Sequence, residues 1–259
     1  MHPGDAPTEA LADALSSLVP QASSRDRILE CLQTSSFGLV QARDVLTGIG
    51  SDPIFLIVDQ FEELFRYAAF AAITRENQIA QTLWRDRAGH FVELLLEATR
   101  SRSAEIFVLI TIRSDFIGDC AQFPDLPEAV SAGQFLVPGL TRDQRESIIR
   151  RPIEKASETI AGATIEPALV QRLHNDIGDE LDQLPVLQHC LSRLWEHAGA
   201  THHLVLEHYD DIGKIADSLS QHADEIMAEL PGLEVAVEQL FRALSEVDKE
   251  GRATRRAVP

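Results

Sequence analysis

Apolar residues recur at helical spacing at Leu11, Leu15, Leu18 and Val19, so a helix is expected over residues 8–19, after the turn Pro3-Gly4-Asp5 and with Thr8 as N-cap. Residues 25–47 predict two short helices, split near Ser35-Ser36-Phe37-Gly38. The pattern then changes. Ile54-Phe55-Leu56-Ile57-Val58 is a continuous apolar run entered through Asp52-Pro53 and ended by Asp59, as a strand buried on both faces of a parallel sheet requires. Helical periodicity returns from Glu62 to about Arg100, with Phe91, Leu94, Leu95 and Ala98 on one face. A second strand is expected from Ile106 to Ile112, ending in Arg113-Ser114-Asp115, and a third over Gln134–Val137, closed by Pro138-Gly139. Strand, long helix, strand is the order of an α/β fold with right-handed crossovers.

Beyond Leu140 the strand signal fades. Thr141 with Gln144 three residues on has the form of a capping box and starts a helix towards Ala156. Further helices are expected over 166–176, 185–198, 213–229 and 233–246. This division places an α/β part in residues 1–140 and helical parts in 141–200 and 201–259. The tail from Lys249 to Pro259 carries Arg252, Arg255 and Arg256 and reads as an interrupted continuation.

Composition narrows the chemistry. With 44% apolar residues over 259 positions the chain can bury a sizeable core. Its formal net charge of -18 repels phosphate, which argues against nucleic acid or an anionic membrane as the general partner. Cys31, Cys120 and Cys190 lie far apart without C-x-x-C spacing, so no disulfide framework or zinc site is suggested. No basic leader and no run of about 18 apolar residues occurs, and a cytoplasmic protein is expected.

An apolar strand delivering Asp59 at its carboxyl end is how P-loop NTPases hold Mg²⁺, because ligands gather at that edge of an open parallel sheet. Glu62 or Glu63 would then polarise an attacking water. The competing reading is that Asp59 caps the next helix and the glutamates complement its dipole. If the second strand lies beside the first, Arg113 reaches the same edge, where its guanidinium can fork onto a γ-phosphate. Alternatively, Arg113 forms a structural ion pair with Asp115 or Asp59.

Three segments taken together, Ile57-Val58-Asp59-Gln60-Phe61-Glu62-Glu63-Leu64-Phe65, Thr111-Ile112-Arg113-Ser114-Asp115-Phe116, and Leu184-Pro185-Val186-Leu187-Gln188-His189 followed by Leu194-Trp195, resemble the novel STAND NTPase family. These modules often sit between an effector domain and WD-type or other repeats in bacterial signalling proteins. The resemblance implies an AAA+-related P-loop core, a helical lid and the start of a winged-helix region, switching between ADP and ATP with Mg²⁺. By position it makes Asp59 the Walker B aspartate, Glu62 and Glu63 the acidic pair, Arg113 the sensor arginine and Pro185 the proline near adenine. The glycine that often stands two residues before that proline is here Gln183. The implied partners are a nucleotide, the effector and repeat domains of a longer protein, and further copies of the chain in a homo-oligomer.

One motif of the family is missing from the sequence. G-x-x-x-x-G-K-[ST] binds phosphate through backbone N–H groups and its lysine. Lys155 follows Glu154, Lys249 follows Asp248, and Lys214 follows Gly213 but precedes Ile215, with His208 where the first glycine belongs. The resemblance implies that this loop falls before Met1, together with a central strand beside the sensor strand. Weak stability and poor nucleotide affinity are therefore expected, at about 1–3 kcal/mol for each buried backbone group left unpaired. Two other functions compete: a degenerate docking or oligomerisation scaffold, and a Mg²⁺-dependent nuclease using Asp59, Glu62, Glu63 and Asp115. His197, His202, His203 and His208 do not share a helical face and are expected in exposed loops, not at a metal.

Overall fold

The computed structural model describes residues 1–18, 24–46, 52–66, 78–102, 104–177, 183–247 and 253–255. It divides into two compact units, residues 1–135 with 244–259, and residues 136–243.

The first unit opens with α1 (Pro7–Ser16), α2 (Ser24–Thr34) and α3 (Gly38–Val45). Pro7 occupies the first turn, where its missing N–H is harmless, so the N-cap is Ala6 and Thr8 lies inside the helix, buried, not at the cap expected of it. Gly38 lets α3 start against α2, since a Cβ there would lie 2.2 Å from the Cys31 carbonyl oxygen. Strand β1 (Ile54–Val58) follows, then a helical turn at residues 63–66, α4 (Gln78–Arg100) and β2 (Ile106–Ile110). The helical pattern expected from Glu62 runs through residues 67–77, which lie outside the described residues. A 3₁₀ segment (Ser114–Gln122) and α5 (Leu126–Gly133) complete the run.

β1 and β2 pair in parallel, from Ile54 opposite Ile106 to Val58 opposite Ile110. Ile54, Leu56, Val58 and Ile106 are buried in a core with Phe61, Phe91 and Leu94, as inward residues at period two should be. The other face is open: Phe55 is 64%, Ile57 44%, Phe107 58% and Leu109 47% exposed. Gln134–Val137 forms no strand, contrary to its apolar pattern. Phe135, Leu136 and Val137 are 84%, 73% and 78% exposed, and β-propensity without a neighbouring strand does not make a ladder.

The second unit contains α6 (Arg142–Ser157), α7 (Pro167–Asp176), α8 (Gln183–Ala198), α9 (Leu206–Asp211), α10 (Lys214–Ala228) and most of α11 (Glu234–Leu244). Both halves of the Thr141–Gln144 capping box form. Short parallel strands β3 (Thr164–Ile165) and β4 (His203–Leu204) join the helices. The core gathers Ile149, Leu169, Leu173, Leu187, Leu194 and Tyr209. The helix expected to 246 ends at Leu244, and Ser245–Val247 (β5) pairs antiparallel with Ala253–Arg255 (β6).

Of the histidines after Trp195, His197 and His203 are exposed as expected, although they lie in α8 and β4 and not in loops. His202 is half-buried and stacks on Trp195 with centroids 4.8 Å apart, and His208, also half-buried, meets His197 edge-on at 5.1 Å. Among the described residues no group of three or more His, Cys, Asp or Glu side chains is arranged to hold a metal, and no helix is long and apolar enough to cross a membrane.

Candidate functional site at the carboxyl edge of the parallel sheet

Because β1 and β2 run in the same direction and in register, the residues that follow them emerge at one edge. Asp59 follows Val58, and Thr111 follows Ile110, its ladder partner. The ladder continues one step past the strands, with Thr111 N–H donating to Val58 O at 3.0 Å and Phe61 N–H donating to Thr111 O at 2.9 Å. The Thr111 hydroxyl donates to Asp59 Oδ1 at 2.5 Å and accepts the Gln60 N–H at 3.0 Å. That hydroxyl bond holds the Asp59 carboxyl below its ordinary range, with a smaller contribution in the same direction from His2, whose Nε2 lies 3.9 Å from Oδ2. Asp59 is therefore an ionised, half-exposed carboxylate with one oxygen tied down.

The neighbouring acids differ from each other. Glu63 Oε2 accepts the Gly4 N–H at 3.0 Å, so it fastens the N-terminal turn. Met1 lies along β1 in a parallel ladder pattern, its ammonium donating to Ile57 O at 2.8 Å and its carbonyl accepting the Asp59 N–H at 2.9 Å. Glu62, by contrast, is only 7% exposed, and its Oε2 has no hydrogen-bond partner among the described residues. A buried carboxylate oxygen without a donor is costly.

Arg113 stands two residues beyond Thr111, on the same edge as Asp59. Its guanidinium forks onto Asp115, with Nε donating to Oδ1 and Nη2 to Oδ2, each at 3.1 Å. The structural ion-pair alternative thus describes its present contact. Both partners are more than half exposed, so the pair contributes little to stability. Pro185 lies in the first turn of α8 in the second unit and is exposed. The structure brings Asp59, Glu62, Glu63 and Arg113 into one unit and places Pro185 in the other.

An aromatic cluster anchors this edge from below. Phe65 meets Phe61 edge-on at 6.0 Å, stacks with Phe116 at 6.3 Å and touches Phe123 at 6.0 Å, joining the turn after β1 to the 3₁₀ segment after Arg113. Trp84 of α4 donates its indole N–H to Leu64 O at 3.2 Å. The motif letters showed Phe61 and Phe65 four apart, which signals a common face; nothing in them pointed to Thr111 or Gln60.

The family model described as novel STAND NTPase 1 matches residues 1–259. No curated protein and no solved structure matches the chain.

Proposed function

The chain belongs to the novel STAND NTPase 1 family, and from that premise we propose that it is part of an ATP-dependent signalling switch whose Mg²⁺ and γ-phosphate contacts lie at the carboxyl edge of β1 and β2. The observation that carries this reading is the parallel, in-register pairing that sets Asp59 and Arg113 on one edge. Asp59 would take the cation, whose chemical contribution is to neutralise the charge on the phosphates. Arg113 would leave Asp115 and fork onto the terminal phosphate. Glu62, buried and short of a donor, is better suited than Glu63 to orient a water, because Glu63 is occupied by Gly4. Pro185 remains the proposed adenine contact, and helix α11 followed by the β5–β6 pair is consistent with the start of a winged-helix region.

These 259 residues contain no G-x-x-x-x-G-K-[ST]. Two features support a strand–loop–helix unit outside them as its source. Among the described residues β2 pairs only with β1, leaving its outer backbone groups without a ladder partner. The apolar side chains of Phe55, Ile57, Phe107 and Leu109 leave the sheet face uncovered. A strand beside β2 with a helix behind it would satisfy both needs.

The test compares unfolding midpoints of this chain and of a form extended upstream by the genomic reading frame, with and without Mg-ATP. The extended form should gain several degrees, Asp59→Asn should abolish the gain, and the chain alone should show none. A large shift in the chain alone, or an extended form that ignores Mg-ATP, overturns the reading. The second result would favour the scaffold alternative, which the open apolar sheet face also fits.

A further inference from the structure

The hydroxyl of Thr111 is placed between two groups that fix its direction. A backbone N–H can only donate, so the Gln60 N–H claims a lone pair of Thr111 Oγ1, and the hydroxyl proton must go elsewhere. It goes to Asp59 Oδ1, at 2.5 Å. The Thr111 backbone has no freedom to follow the side chain, because both its N–H and its carbonyl are held in the ladder by Val58 and Phe61. Gln60 itself sits at φ +57°, a left-handed conformation that costs energy for a residue with a Cβ, and the bond to Thr111 helps to hold it there. The remaining carboxylate oxygen, Oδ2, faces His2 at 3.9 Å, beyond a direct hydrogen bond.

We propose that Thr111 is a positioning residue for Asp59, its hydroxyl tying down one carboxylate oxygen so that the other is presented to a divalent cation. This rests on the reading of Asp59 as the cation-side carboxylate. The threonine acts through the orientation of Asp59, as outer partners of metal-binding carboxylates do. Serine would keep this arrangement. Valine, of nearly the same shape and equally suited to the end of a strand, would lose it.

The experiment titrates Mn²⁺ into the whole ¹⁵N-labelled chain and follows paramagnetic broadening of the amide signals around residues 58–62, for wild type, Asp59→Asn, Thr111→Val and Thr111→Ser. Wild type should show site-specific broadening that Asp59→Asn removes. Thr111→Val should weaken the apparent affinity roughly tenfold or more, and Thr111→Ser should retain it. Thr111→Ala serves in place of valine should valine disturb the ladder. Amide exchange at Gln60, measured without metal, should quicken in the valine form and not in the serine form. If Thr111→Val binds Mn²⁺ like wild type while Asp59→Asn does not, Thr111 is merely structural and the proposal fails with the Asp59 reading intact. If Asp59→Asn binds like wild type, the Asp59 reading fails and takes the proposal with it.

Discussion

Each unit contains an aspartate that accepts a hydrogen bond from a hydroxyl, and the two pairs sit in opposite surroundings. In the first unit Thr111 binds Asp59 at 2.5 Å on a half-exposed sheet edge, below which Phe55, Ile57, Phe107 and Leu109 leave one sheet face open. In the second, Tyr209 binds Asp176 at 2.9 Å and also accepts the Ile215 N–H at 3.1 Å, inside a core shared by α6, α7, α8 and α9. The helical core buries Tyr209 fully, leaves Asp176 a quarter exposed at its rim, and uses the pair to join α7, α9 and the start of α10. Burial pushes the Tyr209 phenol well above its ordinary value, so it stays a neutral donor throughout the working range. The sheet edge leaves part of its polar pair in solvent, where a ligand can reach it. Satisfied polar groups in a core specify packing, while half-satisfied ones on an edge are available for chemistry.

The contrast in burial is the easiest part to break. Leu194 is fully buried in the helical core, and Leu194→Ala should cost about 2–5 kcal/mol in a urea titration. Phe107 is the larger side chain, yet Phe107→Ser should change stability by only about 0.5 kcal/mol. The chain has two tryptophans, Trp84 in the first unit and Trp195 in the second, so Trp→Phe backgrounds let each unit be followed by the other's remaining indole. A Phe107→Ser loss as large as that of Leu194→Ala would mean that the open face is covered in solution, and the contrast would vanish.

How much of this was legible in the residues follows from what each feature depends on. The two strands could be read because Ile54–Val58 and most of Ile106–Ile112 are apolar, a pattern that suits few other settings, although the second strand stops at Ile110, two residues short of the expected end. The capping box at Thr141 and Gln144 is local, and it formed as read. Gln134–Val137 has the same apolar appearance but no strand beside it among the described residues, and pairing is a property of neighbours that no single segment carries. Thr8 was misread because Pro7 fits the first turn and moves the cap back to Ala6. Thr111 was invisible as a site residue for the same reason as the failed strand. Its importance comes from the register that sets it across from Asp59, and register is fixed by the paired strands together. Glu62 and Glu63 look equivalent in sequence, and the fold separates them by burying Glu62 and by laying the Gly4 turn onto Glu63.

The polar pair in the core allows a smaller test. Tyr209→Phe keeps the ring and removes both bonds of the hydroxyl, stranding a buried Ile215 N–H. The cost should be about 1–3 kcal/mol, read from Trp195 fluorescence in urea. Asp176 retains Arg172, whose Nε lies 2.8 Å from Oδ2, so its charge is not abandoned. A neutral substitution would show that water or a shift of α10 replaces the phenol, and that this core is less closed than its burial suggests.

The smallest effect is expected at the sheet edge, where solvent screens the charge. Asp59 has a folded-state pKa below its ordinary value of 3.8, because the Thr111 hydroxyl favours the carboxylate. A depressed carboxyl contributes stability that is present above the unfolded-state pKa and is lost as pH falls through the folded-state value. The contribution should therefore be constant near neutrality and fade only in acid below the ordinary carboxylate range. Thr111→Val should move the Asp59 titration, followed by its side-chain ¹³C shift, upward towards the ordinary value, while Thr111→Ser leaves it depressed. An unchanged titration in the valine form would mean that His2 and the neighbouring backbone set the charge of Asp59, and the likeness between the two hydroxyl–aspartate pairs would be one of geometry alone.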